Sequence, residues 1–203
     1  MTPAELETYL RGELDAFPGR AALLMAEAES GRVLHAADSD VQVVSASTIK
    51  VPILCAALEL CRRGELSLSQ LVPIPEDRIC PDTSVFEEGN RQEAGYPLWE
   101  LLYWMIVLSD NTATNAVIHL LGYDVVNGWC RAHGLERTRL EREMLDWDAI
   151  AAGRNNYTSA ADQFALYRKL CRGEILNESL TAVALDMLRR QRSMDDILRY
   201  NPY

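Results

Sequence analysis

The longest apolar stretch, Leu98-Trp99-Glu100-Leu101-Leu102-Tyr103-Trp104-Met105-Ile106-Val107-Leu108, contains a single charge. It is about three turns long and apolar nearly all round, which predicts a helix buried on every side with its aromatic rings in the core. Elsewhere the apolar positions follow helical spacing with polar gaps. Leu6, Tyr9, Leu10, Leu14 and Phe17 mark a first helix, started by Thr2-Pro3-Ala4-Glu5 and stopped by Pro18-Gly19. A second helix is expected over about 46–62, capped by Ser45 or Ser47 and ended by Gly64, with Pro52 kinking it after its first turn. Further helices are expected over 112–121, closed by Gly122, and over 124–133, before Gly134. Two more follow, one from a Thr158 or Ser159 cap to Cys171 and one from Glu178 to about Arg192 behind Asn177. Only residues 21–27 and 32–35, around the Glu29-Ser30-Gly31 turn, suggest strands, and they predict a β-hairpin. No later segment carries a strand signal. Residues 65–96 form a long, turn-rich connection, and 135–157 are irregular with alternating charges, as on a solvated surface.

Composition narrows the classes. The chain has 203 residues, 48% hydrophobic and 25% charged, enough for a sizeable globular core. A net charge of −10 leaves no basic surface for a nucleic-acid partner. No 18-residue apolar run is present, so no membrane partner is expected. Met1-Thr2-Pro3-Ala4-Glu5 lacks the basic and apolar segments of a leader, so the expected location is cytoplasmic, or exported where a leader has been removed. The five cysteines, Cys55, Cys61, Cys80, Cys130 and Cys171, make no C-x-x-C pair. Most are expected to be buried thiols, and neither a metal nor another cofactor is expected. His119 and His133 lack metal-ligand spacing and are expected to be structural or exposed.

Two clusters suggest chemistry. Ser47 and Lys50 lie three residues apart, where a polar stretch turns apolar. On a helix they share a face, and a nearby amine can turn a weak hydroxyl nucleophile into an attacking one. Serine and lysine are common enough that the pair alone is expected by chance. Ser109-Asp110-Asn111 ends the apolar helix, and three polar groups there need partners. They either cap the next helix or form a polar cluster delivered to a cleft.

Ser47-Thr48-Ile49-Lys50 followed by Ser109-Asp110-Asn111 resembles the first two motifs of the class A β-lactamase and penicillin-binding superfamily of serine hydrolases. The hairpin before the serine, the apolar helix before the second motif, the loop from Gly134-Leu135 to Arg142 and the segment Arg154-Asn155-Asn156-Tyr157-Thr158-Ser159-Ala160-Ala161-Asp162 are similar to the family too. The resemblance implies an α/β, β-lactamase/transpeptidase-like fold. Its helical lobe is complete, and its antiparallel sheet is incomplete, with the N-terminal hairpin only. One domain over 1–203 would comprise a helix and hairpin (1–45), a helical lobe (46–175) and a C-terminal helix returning to the first lobe (176–203).

The resemblance also implies roles. Ser47 would be the acylated nucleophile, Lys50 its base or proton relay, and Ser109 the donor to the leaving nitrogen. Asn111 would hold Lys50 and bind the substrate amide, while Asp110 and Arg142 would be structural. Two departures stand out. The family's general-base glutamate aligns, through Arg142, with Met144, and neighbouring Glu143 would point elsewhere. The third motif, K-T-G on a strand, is absent. The expected substrate is a β-lactam or a related peptide-like amide, with slow deacylation. The alternatives are a binding protein on the same fold that turns over nothing, or a Ser-Lys amidase of the glutaminase type. A second chain or self-association is expected to complete the hairpin and cleft.

Overall fold

The computed structural model describes residues 2–81, 85–86 and 93–192. The chain begins with α1 (Pro3–Ala16), fixed by a capping box. The Thr2 hydroxyl accepts from the Glu5 backbone N–H, and the Glu5 carboxylate accepts from the Thr2 N–H at 2.7 Å. The hairpin follows as β1 (Leu23–Ala26) and β2 (Val33–Ala37), paired antiparallel with Leu23 opposite Ala37 and Met25 opposite His35. Gly31, at φ 74°, supplies the left-handed residue of its turn. Among the side chains described over 2–44, none is buried.

From Ser45 onward the chain is different. A 3-10 turn (Ala46–Ile49) leads into α2 (Lys50–Arg62), whose residues 50–58 are all buried. Around α2 pack α3 (Leu98–Val107), α4 (Asn111–Leu121), α5 (Tyr123–Ala132) and α8 (Glu178–Arg189). Helix α7 (Ala160–Cys171), capped by Ser159, packs against both α8 and β1. Ile53, Leu54, Leu58, Leu101, Leu102 and Met105 are wholly inaccessible. Burying each such side chain stabilises the fold by about 1.5–3 kcal/mol.

Several expectations need correction. Pro52 does not kink a helix. It sits in the first turn of α2, where backbone N–H groups have no intrahelical partner to lose, and the helix runs unbroken behind it. Helix α3 is not buried all round, because Trp99 at its start is 45% exposed. The stretch 135–157 contains α6 (Trp147–Ala151), started by Asp146 accepting from the Ala149 N–H at 2.8 Å. Strands do follow the hairpin, as two-residue antiparallel ladders: β3 (Val43–Val44) with β6 (Tyr157–Thr158), and β4 (Leu71–Val72) with β5 (Tyr96–Pro97). Only Cys55 and Cys130 of the five free thiols are buried, and burial pushes both up to about 12. Helix α8 ends at Arg189, and the tail of the expected C-terminal segment beyond residue 192 lies outside the described residues.

Candidate active site

The two sequence clusters meet where α2 begins and α3 gives way to α4. Ser47 lies exposed in the 3-10 turn, while Lys50, the first residue of α2, is 2% exposed. Ser109 occupies the junction of α3 and α4. The Asp110 N–H closes back on the Trp104 carbonyl, and the Asp110 carboxylate caps α4 by accepting from the Ala113 N–H at 2.7 Å. One helix ends and the next starts within a few residues. Ser109 absorbs the reversal at φ 55°, and Ala46, just before Ser47, sits at φ 45°. Left-handed backbone at non-glycine residues costs about 1–3 kcal/mol each and persists where the surroundings enforce it.

Lys50 joins the clusters. Its Nζ donates to the Ser109 carbonyl at 2.6 Å, to the Ser109 hydroxyl at 3.0 Å and to Asn111 Oδ1 at 2.9 Å. Those bonds use all three hydrogens of an ammonium group. The Ser109 hydroxyl in turn donates to Ser47 Oγ at 3.0 Å. Desolvation lowers the Lys50 pKa to about 8, against the opposing pull of Asp110. Burial pushes Asp110 upward despite its cap bond and the nearby lysine.

The protonation state decides what this arrangement can do. A neutral amine keeps two hydrogens and gains a lone pair. The Ser109 carbonyl and Asn111 Oδ1 can only accept, so they hold the two hydrogens. The lone pair is left for the Ser109 hydroxyl, which then accepts from Ser47. Loss of one proton from Lys50 therefore reverses the chain and draws the Ser47 proton toward the amine.

A loop over 139–146 lies alongside, held by three asparagines. Asn127 Oδ1 accepts from the Leu140 N–H at 2.8 Å and its amide donates to the Leu140 carbonyl at 2.9 Å. Asn156 binds both backbone groups of Arg142 in the same way, and Asn115 those of Met144. Every second residue is thus gripped as if by a neighbouring strand, its ladder bonds made by side-chain amides. The Arg142 guanidinium spends its bonds on Asn155 Oδ1 and the Glu143 carbonyl. Met144 is 8% exposed. Glu143 faces Arg78 and His119, at 3.4 Å from each.

Ser47, Lys50, Ser109 and Asn111 therefore share one hydrogen-bonded network, Asp110 supports it as a cap, and Arg142 stands in the adjoining loop. The sequence motifs give no role to Asn115, Asn127 or Asn156. An asparagine on the buried face of α4, as Asn115 is, was the available signal.

Residues 5–202 match the sequence profile of the β-lactamase enzyme family. A β-lactamase of Rhodobacter capsulatus is 31% identical over 155 residues, covering 75% of this chain and 52% of that protein. The solved structure of a single-residue mutant of PBP-A, an acyl-enzyme complex with penicillin G, is 30% identical. It has a TM-score of 0.80 and covers 93% of this chain and 69% of the other. An ancestral (GNCA) class A β-lactamase is 26% identical at a TM-score of 0.85, covering 96% of this chain and 74% of that one. The chain spans about half the length of the curated relatives it matches. With a profile match along nearly its whole length and an architecture shared with these structures, the chain belongs to the β-lactamase enzyme family and has its α/β fold.

Proposed function

We propose that this chain is a serine acyl hydrolase in which Ser47 is acylated by a β-lactam or a related amide. The observation that carries this reading is the unbroken hydrogen-bonded path from Ser47 through Ser109 to a buried lysine whose pKa is lowered to about 8. Ser47 Oγ attacks the carbonyl carbon while its proton passes through Ser109 to neutral Lys50. A C–O bond forms, the C–N bond breaks, and the proton returns from Lys50 through Ser109 to the departing nitrogen. Asn111 keeps Lys50 aimed along this path.

Release is the weak step. A thioether cannot accept a proton from water, and Glu143 is engaged with Arg78 and His119. Intact-mass spectrometry after exposure to penicillin G tests the reading. One molecule added to the native chain and none to Ser47→Ala is the expected result. An unmodified native chain that also resists an acyl-reactive probe would favour a non-catalytic binding protein. Met144→Glu should shorten the adduct's lifetime by about tenfold or more, since a positioned general base contributes on that scale or above.

The hairpin supports one further reading, that a second copy of the chain completes the sheet. Among the described residues, strands β1 and β2 pair only with each other, and a lone hairpin is marginal in water. Sedimentation velocity should find a dimer; a monomer at all concentrations rejects this.

A further inference from the structure

A cavity separate from the Ser47 cleft lies between strand β4, the 3-10 turn behind it (Glu76–Arg78) and helix α4, and it encloses about 220 Å³. Its walls are carbon that a ligand can reach. Pro73 and Pro75 are exposed, and Ile74, Ala116 and Leu120 are partly so. The buried polar groups of its floor are already bonded: the Thr112 hydroxyl accepts from the Cys80 N–H, and Asn115 holds Met144. The floor therefore suits an apolar group. Arg78 and His119, both exposed, stand at the rim and touch each other. Arg78 carries five N–H donors and a neutral imidazole one more. Glu143 offers them a carboxylate oxygen 3.4 Å from Arg78 Nη1 and 3.4 Å from His119 Nε2. A well-made charge-assisted bond is shorter, about 2.7–2.9 Å. An ion pair this loose and exposed contributes little, so another carboxylate can take its place at small cost.

We propose that this cavity binds a small monocarboxylate, with its apolar body between Ile74, Ala116 and Leu120 and its carboxylate on Arg78 and His119 in place of Glu143. The surrounding charge sets the class. Glu76 and Asp77 are exposed beside Arg78, and the chain carries a net charge of −10. One negative charge gains from contact with Arg78, whereas a second would meet carboxylates. Binding reaches the loop over 139–146, because Glu143 belongs to it and Asn115, in the cavity floor, grips both backbone groups of Met144. The proposal stands apart from the acylation of Ser47.

Hydrocinnamate, hydrocinnamyl alcohol and propionate separate the parts of the site. The first has both the aromatic body and the charge, the second lacks the charge and the third lacks the ring. Each is titrated into the isotope-labelled native chain and followed by amide chemical shifts. Hydrocinnamate is expected to saturate in about the millimolar range, as suits a ligand of its size, with shifts at Ile74, Ala116, Leu120 and Met144. The alcohol and propionate should each bind about three- to tenfold more weakly. Arg78→Ala should bring the acid down to the affinity of the alcohol. Ala116→Phe, which fills the cavity, should abolish binding of both. Equal affinity of the native chain for acid and alcohol, shifts confined to Ser47, Ser109 and Asn111, or no saturation by tens of millimolar overturns the proposal. The comparison on the native chain decides even if the Ala116 variant fails to fold. Each of these outcomes leaves acylation standing, since the mass measurement reads that separately.

Discussion

The chain on either side of Ser45 follows two different rules of burial. Before it, α1 and the hairpin leave Tyr9, Phe17 and Val33 more than half exposed, and no described side chain is buried. After it, nine consecutive residues of α2 are buried and four further helices close over them. The N-terminal region is tied on locally. Val43 and Val44 pair with Thr158 and Tyr157, the Ala161 N–H donates to the Ser39 carbonyl, and Arg168 reaches the Glu29 carbonyl. Ser47, Lys50, Ser109 and Asn111 all lie after Ser45. The strained, desolvated site thus rests on the part of the molecule with stability to spare, as backbone outliers require.

This contrast can be broken most sharply at Lys50. Lys50→Met should lower the acylation rate by about 10²–10⁴-fold, the range for a lost general base. Thermal stability should change little, because relief of the desolvated ammonium offsets the Ser109 and Asn111 acceptors left without their donor. A large loss of stability would mean that the site helps to hold the helical region together. Next in size is the core itself. Leu101→Ala should cost about 2–5 kcal/mol in urea unfolding, and Val33→Ala, on the open hairpin, about 0.5 kcal/mol or less. Equal losses would erase the distinction between the regions.

What could be read in advance follows the same division. The capping box of α1, the Asn177 cap of α8 and the reach of α4 were legible because each is a local bond between near neighbours. The fold class and the four polar residues of the site were legible from motif order, which records a resemblance and not a contact. The two-residue ladders were not legible, since two residues carry no period to detect. Pro52 misled because the same residue breaks a helix interior and suits a helix start, and a shift of a few residues in the predicted start exchanges the two. The left-handed Ser109 and the asparagine grips on the 139–146 loop escaped for a further reason. The first arises from two helices meeting, and the second joins residues up to 29 positions apart.

Those grips give the next effect in size. Asn156 binds both backbone groups of Arg142 and also accepts from the Glu141 N–H at 2.8 Å, while its own backbone carbonyl accepts from the Ser45 N–H. Asn156→Ala keeps the backbone bond but strips the loop of its side-chain partners, at a cost of about 1–3 kcal/mol for the buried groups left unpaired. Hydrogen exchange should quicken at Glu141 and Arg142 and stay unchanged in the hairpin. Exchange that rises equally in both would show the two regions to be one cooperative unit.

The mildest perturbation is pH, and it separates the site from the fold without a mutation in the first arm. Lys50 has an ordinary value of 10.5 and a folded value of about 8, lowered by burial. If the neutral amine is the base, the acylation rate should climb about tenfold per pH unit below 8 and level off above it. The linked stability has a fixed sign. Between pH 8 and 10.5 the folded Lys50 has released its proton while the unfolded one still holds it. The unfolded state then binds more protons, and stability rises with pH across this window. Cys55 and Cys130 work in the opposite direction above their ordinary value of 9.0, because burial keeps their protons on in the folded state. The difference between the native chain and Lys50→Met cancels the thiols. Across pH 8 to 10.5 the native chain should gain stability relative to Lys50→Met, and a flat difference would mean that the folded Lys50 titrates as it does in water and that its burial does not tune it for the chemistry.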